Sequence, residues 1–199
     1  MKAGARAIGV AESYRGVESS PGIDASSSTG SRSTLAAAVV RVDRTVDGFA
    51  FGACSVGGTD ATEAVVGLVE RLDRDDGRYV LVSGIAPAWY NVLDLPAISA
   101  GVDRPVVSVS FEASVGLEPA LREAFDGEAL AARVERYRRQ PERTQVTVNG
   151  EALFVRAVGL APEEAGDVVR AFTPEGGRPE PLRVARLAAR AADRWRADS

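Results

Sequence analysis

The residues best placed to do chemistry lie near the C-terminus, in Gly177-Arg178-Pro179-Glu180-Pro181-Leu182-Arg183-Val184-Ala185-Arg186. A Pro-Glu-Pro turn opens a helix that carries Arg183, Arg186, Arg190 and Arg194 at spacings of three, four and four, which puts all four guanidinium groups on one face. A planar guanidinium binds two phosphate oxygens at once, so such a row suits a nucleic-acid backbone, with Arg178 just ahead of it; the alternative is a solvated helix face. Acidic candidates are sparse. Glu12 follows the first expected strand, Asp60 follows the third in Gly57-Gly58-Thr59-Asp60, and Ser83 ends the fourth. If those strands are neighbours, the three side chains share one rim, at the strand ends where open α/β folds place their ligands. Asp60 also suits a helix N-cap, with Glu63 positioned to complete a capping box. Trp89 and Tyr90 lie in the loop beyond the fourth strand, where exposed rings stack on bases or, alternatively, close over a core edge.

Composition narrows the chemistry. The 199 residues include no histidine, which removes the commonest general base and nitrogen ligand for metals. The lone cysteine, Cys54, lies in an apolar strand pattern and reads as buried packing. The turn before Asp60 lacks a Gly-Lys-Ser/Thr ending, which argues against a nucleoside triphosphate site. Lysine and arginine number 24, aspartate and glutamate 28, and the net charge is -4; any contact with nucleic acid therefore needs a local basic patch. No run approaches the roughly 20 apolar residues of a membrane span, and the N-terminus lacks a signal peptide's apolar region, so a cytoplasmic protein without membrane partners is expected.

Around these residues the pattern predicts one domain over residues 1–199. Buried strands are expected at Ala5–Val10, Leu35–Val42, Phe49–Val56, Tyr79–Val82 and Val106–Val109, the first three antiparallel. The second and third are joined by a turn whose Asp47-Gly48 end supplies the positive φ. Helices are expected after Asp60, from Asp94 to Ala100, and over Leu117–Phe125, Ala129–Arg139, Pro162–Phe172 and Pro181–Arg194. A hairpin turns at Asn149-Gly150. The Ser/Gly-rich segment 15–33 has almost no large apolar side chain and is expected to be a flexible loop.

The chain resembles, essentially end to end, the archaeal proteins of domain-of-unknown-function family 99 (DUF99), relatives of endonuclease V. The likeness rests on Gly9-Val10-Ala11-Glu12-Ser13, Gly58-Thr59-Asp60-Ala61-Thr62, Ser83-Gly84-Ile85, Asn91-Val92-Leu93-Asp94, Arg104-Pro105-Val106-Val107-Ser108-Val109 and Arg178-Pro179-Glu180-Pro181-Leu182-Arg183. It implies an α/β, RNase H-like fold, a mixed β-sheet flanked by α-helices, and enzymes that use acidic residues with magnesium to cut a phosphodiester near a deaminated base. Three acidic positions of that pattern are replaced here, by Ala11, by Ser83 and by Arg186, while Asp60 stands in an acidic one. Glu12 points to the opposite face of its strand from Ala11 and substitutes badly.

The leading expectation is therefore a protein that binds DNA or RNA at a degenerate cleft through Asp60, Ser83, Arg183 and Arg186, with Arg178, Trp89 and Tyr90 as further contacts. One alternative is a Mg2+-dependent endonuclease with Glu12 and Asp60 as catalytic metal ligands. The other is a protein-interaction or assembly module anchored by Trp89 and Tyr90. The sequence leaves the oligomeric state open.

Overall fold

The computed structural model describes residues 1–2, 4–14 and 31–198. Seven strands form one sheet in the order β3-β2-β1-β4-β5-β7-β6. They are β1 (Arg6–Glu12), β2 (Arg32–Arg41), β3 (Val46–Ser55), β4 (Gly77–Ser83), β5 (Val106–Ser110), β6 (Thr144–Val148) and β7 (Glu151–Val158). The first three strands are antiparallel to one another, β4 and β5 run parallel to β1, and β7 and β6 return antiparallel. The helices are α1 (Ala61–Arg71), the single turn α2 (Pro87–Tyr90), α3 (Leu95–Val102), α4 (Glu118–Ala124), α5 (Gly127–Arg138), α6 (Pro162–Ala171) and α7 (Glu180–Ala197). The expected mixed sheet with three leading antiparallel strands is present.

The central strands are continuous apolar runs because both of their faces are covered. On one face Ile8, Val10, Val80 and Val82 pack under α1 and α3 through Val65, Leu68, Leu95 and Ile98. On the other, Leu81, Val107 and Val109 meet α6 and the start of α7 through Val168, Val169 and Leu182, while Ala11, Ala38 and Val40 receive Ala185 of α7. The small side chains of β1 and β2 let α7 lie close. At Gly9 a Cβ would come within 2.2 Å of the Pro181 backbone, so only glycine admits the first turn of that helix.

Local signals held where they were self-contained. Asp94 caps α3 by accepting from Ala97 N at 3.1 Å, and Asn149 and Gly150 turn the β6–β7 hairpin with φ of 51° and 86°. Cys54 is fully buried. The β2–β3 turn differs from expectation. Its positive φ belongs to Arg44, at 73°, while Asp47 and Gly48 lie inside β3. Asp47 accepts from Arg6 Nε at 2.6 Å and Arg41 Nε at 2.7 Å, and this ion-pairing fixes it in the strand rather than in the turn. Of the expected loop 15–33, residues 15–30 lie outside the described residues, and Arg32 and Ser33 belong to β2, pairing with Ser55 and Cys54.

Candidate nucleic-acid interface

Glu12 ends β1 on the α1 side of the sheet, sharing the face of Ile8 and Val10 and opposite Ala11. Its Oε2 accepts from the Ala88 backbone N–H at 2.6 Å and from Ser33 Oγ at 3.1 Å. Burial pushes the Glu12 carboxyl up to about 7; the Ala88 N–H, the Ser33 hydroxyl and the charge of Arg186 pull the other way without prevailing.

Asp60 stands at the start of α1 but does not form the expected capping box. The Gly57-Gly58 loop, with Gly57 at φ 68°, folds its carboxylate back over the end of β3. There it accepts from Ser55 N at 3.0 and 3.1 Å, from Ser55 Oγ at 3.0 Å and from Asn91 Nδ2 at 2.7 Å. Burial alone would raise this carboxyl, but those hydrogen bonds outweigh it and hold it below the ordinary aspartate value. Asn91 takes over the capping duty, its Oδ1 accepting from Ala61 N at 3.0 Å.

Both carboxylates converge on one unusual piece of backbone. Ala88, Trp89 and Tyr90 follow one another at φ of 49°, 55° and 61°, each in the left-handed region, which costs non-glycine residues roughly 1–2 kcal/mol apiece. The turn is held from several sides. Glu12 binds its Ala88 N–H, Gly57 N donates to Ala88 O at 2.7 Å, and Asn91 Nδ2 donates to Ser55 O at 2.9 Å. Arg133 of α5, buried and, among the described residues, without an ion pair, donates to the carbonyls of Gly57, Gly58, Tyr90 and Ala129 and lies 4.0 Å over the Phe125 ring. Arg136 joins the same loops through Thr59 O and Val92 O, both at 3.2 Å. Trp89 and Tyr90 are half-buried, packed against each other and against Phe125 with centroids 5.2–6.1 Å apart. Their rings close over a core edge, and Trp89 lies so near Gly57 that a Cβ there would come within 2.6 Å of it. Asn91 stood in a quoted motif without a role; Arg133 had no sequence signal, since its partners are distant carbonyls.

The α7 side of the same rim is different. By strand alternation Ser83, at the end of β4, shares the face of Leu81, and β4 lies beside β1, which ends in Ala11 and Glu12. Ala185 of α7 packs on Ala11, and the next residue, Arg186, is close enough for its charge to act on both Glu12 and Arg178. Arg183 is not available as expected: it holds Glu180 with two bonds, Nε–Oε2 at 2.7 Å and Nη2–Oε1 at 2.6 Å. Arg178 lies 3.9 Å over the Phe111 ring, and burial, then the charges of Arg186 and Arg190, lower its pKa. The expected rim of Asp60, Ser83, Arg183 and Arg186 therefore does not form one site. Asp60 belongs to the α1 layer and Arg183 to Glu180, while Arg186 stands near Arg178.

Magnesium takes oxygen ligands, chiefly carboxylates and waters. The α7 side offers a methyl group, a hydroxyl and guanidinium groups, and the carboxylates of Glu12 and Asp60 across the sheet are occupied by N–H and O–H donors. Among the described residues no group of three or more His, Cys, Asp or Glu is placed to hold a metal ion. The residues present do not fit a magnesium centre. One strand further along, a cavity of about 210 Å³ opens beyond β5, lined in part by Ile85, Ser108, Ser110, Tyr137, Arg143 and Arg156. Among the described residues no helix is long and apolar enough to cross a membrane.

A family model described as Endonuclease dU matches residues 3–193. A UPF0215 protein of Pyrobaculum calidifontis is 36% identical over 159 residues, covering 79% of this chain and 86% of that one. A UPF0215 protein of Thermococcus gammatolerans is 33% identical over 162 residues, covering 80% and 81%. Among solved structures, a protein of unknown function from Archaeoglobus fulgidus superposes with a TM-score of 0.77 at 22% identity, covering 94% of this chain and 97% of that one. Human endonuclease V gives 0.59 at 16% identity, covering 98% and 86%. Endonuclease V of Ciona intestinalis, in complex with a 24mer DNA containing an inosine followed by a ribo-adenosine, gives 0.60 at 10% identity, covering 96% and 87%. These likenesses show the fold: an RNase H-like mixed sheet flanked by helices.

Proposed function

The chain belongs to the endonuclease dU family, and from that premise we propose that it binds nucleic acid at the α7 side of the sheet rim without cutting it. The reading is supported by Ala11 at the end of β1 packing against Ala185 of α7, with Arg186 next along that helix and Ser83 ending the neighbouring strand β4. Ala11, Ser83 and Arg186 are the positions at which the resemblance to endonuclease V implies acidic residues. A cut through metal-held water needs carboxylates to hold the cation, and here the field is cationic. The same field suits a phosphodiester backbone, which binds guanidinium groups with the release of counterions. A fold alone does not carry an activity, so the reading rests on the rim residues rather than on the likeness. Arg178 and Arg186 supply the backbone contacts, Ser83 at the end of β4 offers a hydroxyl, and the cavity by Ser108 and Ser110 has room for a base turned out of its strand. The DNA complex of the Ciona protein supports nucleic acid as the class of ligand.

The test is equilibrium binding of fluorescent single-stranded and duplex DNA and RNA, with and without inosine or deoxyuridine, in magnesium and then in EDTA, with the same samples run on a denaturing gel. Binding that survives EDTA, weakens steeply with salt and leaves the strands intact is the expected result. Magnesium-dependent cleavage abolished by Asp60→Ala would overturn the non-catalytic reading in favour of an endonuclease, and no binding to any strand at low salt would overturn nucleic acid as the ligand.

A further inference from the structure

The described residues supply neither Arg178 nor Arg186 with a hydrogen bond or an ion pair. Arg178 Nη1 is fully buried and has no hydrogen-bond partner. Arginine elsewhere in this chain is used otherwise. Arg133 is satisfied by backbone carbonyls, Arg183 by Glu180, and Arg6 and Arg41 by Asp47. A buried guanidinium N–H left without an acceptor costs free energy, and native structures rarely keep one unless something absent from the chain completes it. The Phe111 ring beneath Arg178 offers its π face to the cation but no oxygen to the N–H groups. Arg186 lies near enough to depress the Arg178 pKa further, so these two cations stand close together against their own repulsion. An oxyanion between them would relieve both the missing acceptor and the repulsion.

We propose that Arg178 and Arg186 form a direct binding site for a phosphate group that needs no metal ion, in a fold where a metal-bridged contact is implied for endonuclease V-like enzymes. The inference rests on the nucleic-acid reading above, and the phosphate it assigns is the backbone phosphodiester of the bound strand. Arg178 lies 3.9 Å over Phe111 with its Nη1 unsatisfied, and Arg186 on α7 is near enough for its charge to act on it. The two together hold an oxyanion from two directions. Because such a site is assembled at the expense of cation repulsion, it is also a local cost in the unliganded protein, as strained functional sites commonly are.

That cost separates a ligand site from a structural arginine. Thermal unfolding of Arg178→Ala, Arg186→Ala and Arg178→Lys is measured in EDTA, alone and with inorganic phosphate or sulfate. Affinity for a fluorescent single-stranded oligonucleotide is measured alongside. The unliganded Arg178→Ala protein is expected to unfold at the wild-type temperature or above it, to lose the rise that phosphate produces in the wild type, and to bind the oligonucleotide about tenfold more weakly. Arg178→Lys keeps the charge but not the planar fork and is expected to fall between the two. The salt dependence of log affinity should become shallower by about one unit for each phosphate contact removed. A lower unfolding temperature for Arg178→Ala with oligonucleotide affinity unchanged would overturn the proposal and leave Arg178 as a packing residue. Oligonucleotide binding that persists in both alanine variants would overturn this site while leaving the nucleic-acid reading intact. A phosphate response lost in the variants but no oligonucleotide binding by the wild type would overturn the nucleic-acid reading while leaving the anion site.

Discussion

The two sides of one sheet rim treat charge in opposite ways. On the α1 side, Glu12 and Asp60 are carboxylates with their lone pairs taken by the Ala88 and Ser55 amides, hydroxyls and Asn91. On the α7 side, Ala11 and Ser83 carry no charge, and Arg178 and Arg186 are cations for which the described residues supply no acceptor. A charge satisfied by backbone donors is part of the architecture; a charge without an acceptor is an offer to something else. The carboxylates that a search for catalytic acids would choose first are thus bound into the structure around a strained turn, and the replaced positions are the ones the proposal gives to a ligand.

The largest test of this contrast acts on the seat of α7. A methyl group at Gly9 would meet the Pro181 carbonyl carbon and oxygen at 2.2 Å, and neither is the end of a flexible side chain. Gly9→Ala is expected to cost at least ~3 kcal/mol, read from chemical denaturation, because the helix must lift from the sheet. Lifting it also disperses the arginines, so oligonucleotide affinity should fall with stability. Wild-type stability in this variant would mean that α7 adjusts without strain and that its arginines are not positioned by the packing at Gly9.

The opposite side is broken more gently by Asp60→Ala, which strands the Ser55 amide and hydroxyl and the Asn91 amide. The expected loss is about 2–3 kcal/mol, with oligonucleotide affinity per folded molecule unchanged. The dissociation of the two readouts is the point. A large loss of affinity at full stability would place Asp60 in the binding site and erase the distinction between the two sides.

This division was only half legible in the sequence. The order of strands and helices along the chain and the helix stripes follow from periodicity that each segment carries within itself, as do the Asp94 cap and the Asn149-Gly150 turn. The role of Asp60 was not visible: a capping residue and a carboxylate folded back on Ser55 have the same local pattern, and Asn91, far along the chain, decides between them. The left-handed turn at Ala88, Trp89 and Tyr90 contains no glycine to announce it, because its cost is met by partners on β1, on the loop after β3 and on α5. Arg133 was silent for the same reason. On the α7 side, Ala11, Ser83 and Arg186 were marked by the family resemblance and by no local pattern. The unsatisfied state of Arg178, however, needed the fold: Pro179 and Glu180 say nothing about Phe111.

The smallest effect is the one that shows how far the two sides communicate. The Glu12 carboxyl, raised from 4.5 to about 7 mainly by burial, keeps its proton in the folded protein across a pH range in which the unfolded chain has released it. The folded state binds more protons there, so stability falls as pH rises from about 4.5 through 7, with the full penalty present above that window. The shift would correspond to ~3 kcal/mol if fully expressed, and partial exposure of the side chain brings the expected figure to ~1–2 kcal/mol. Glu12→Gln keeps an oxygen for the Ala88 N–H and the Ser33 hydroxyl and removes the titration. The variant should match the wild type near pH 4 and exceed it by that amount near pH 8, as read from denaturant midpoints at each pH. Arg186 opposes the Glu12 shift from across the rim, so Arg186→Ala should raise the Glu12 pKa and extend the loss of stability to higher pH. Identical pH profiles for wild type and Arg186→Ala would mean that the arginine's field does not reach the carboxylate, and that the two sides are separate in electrostatics as well as in chemistry.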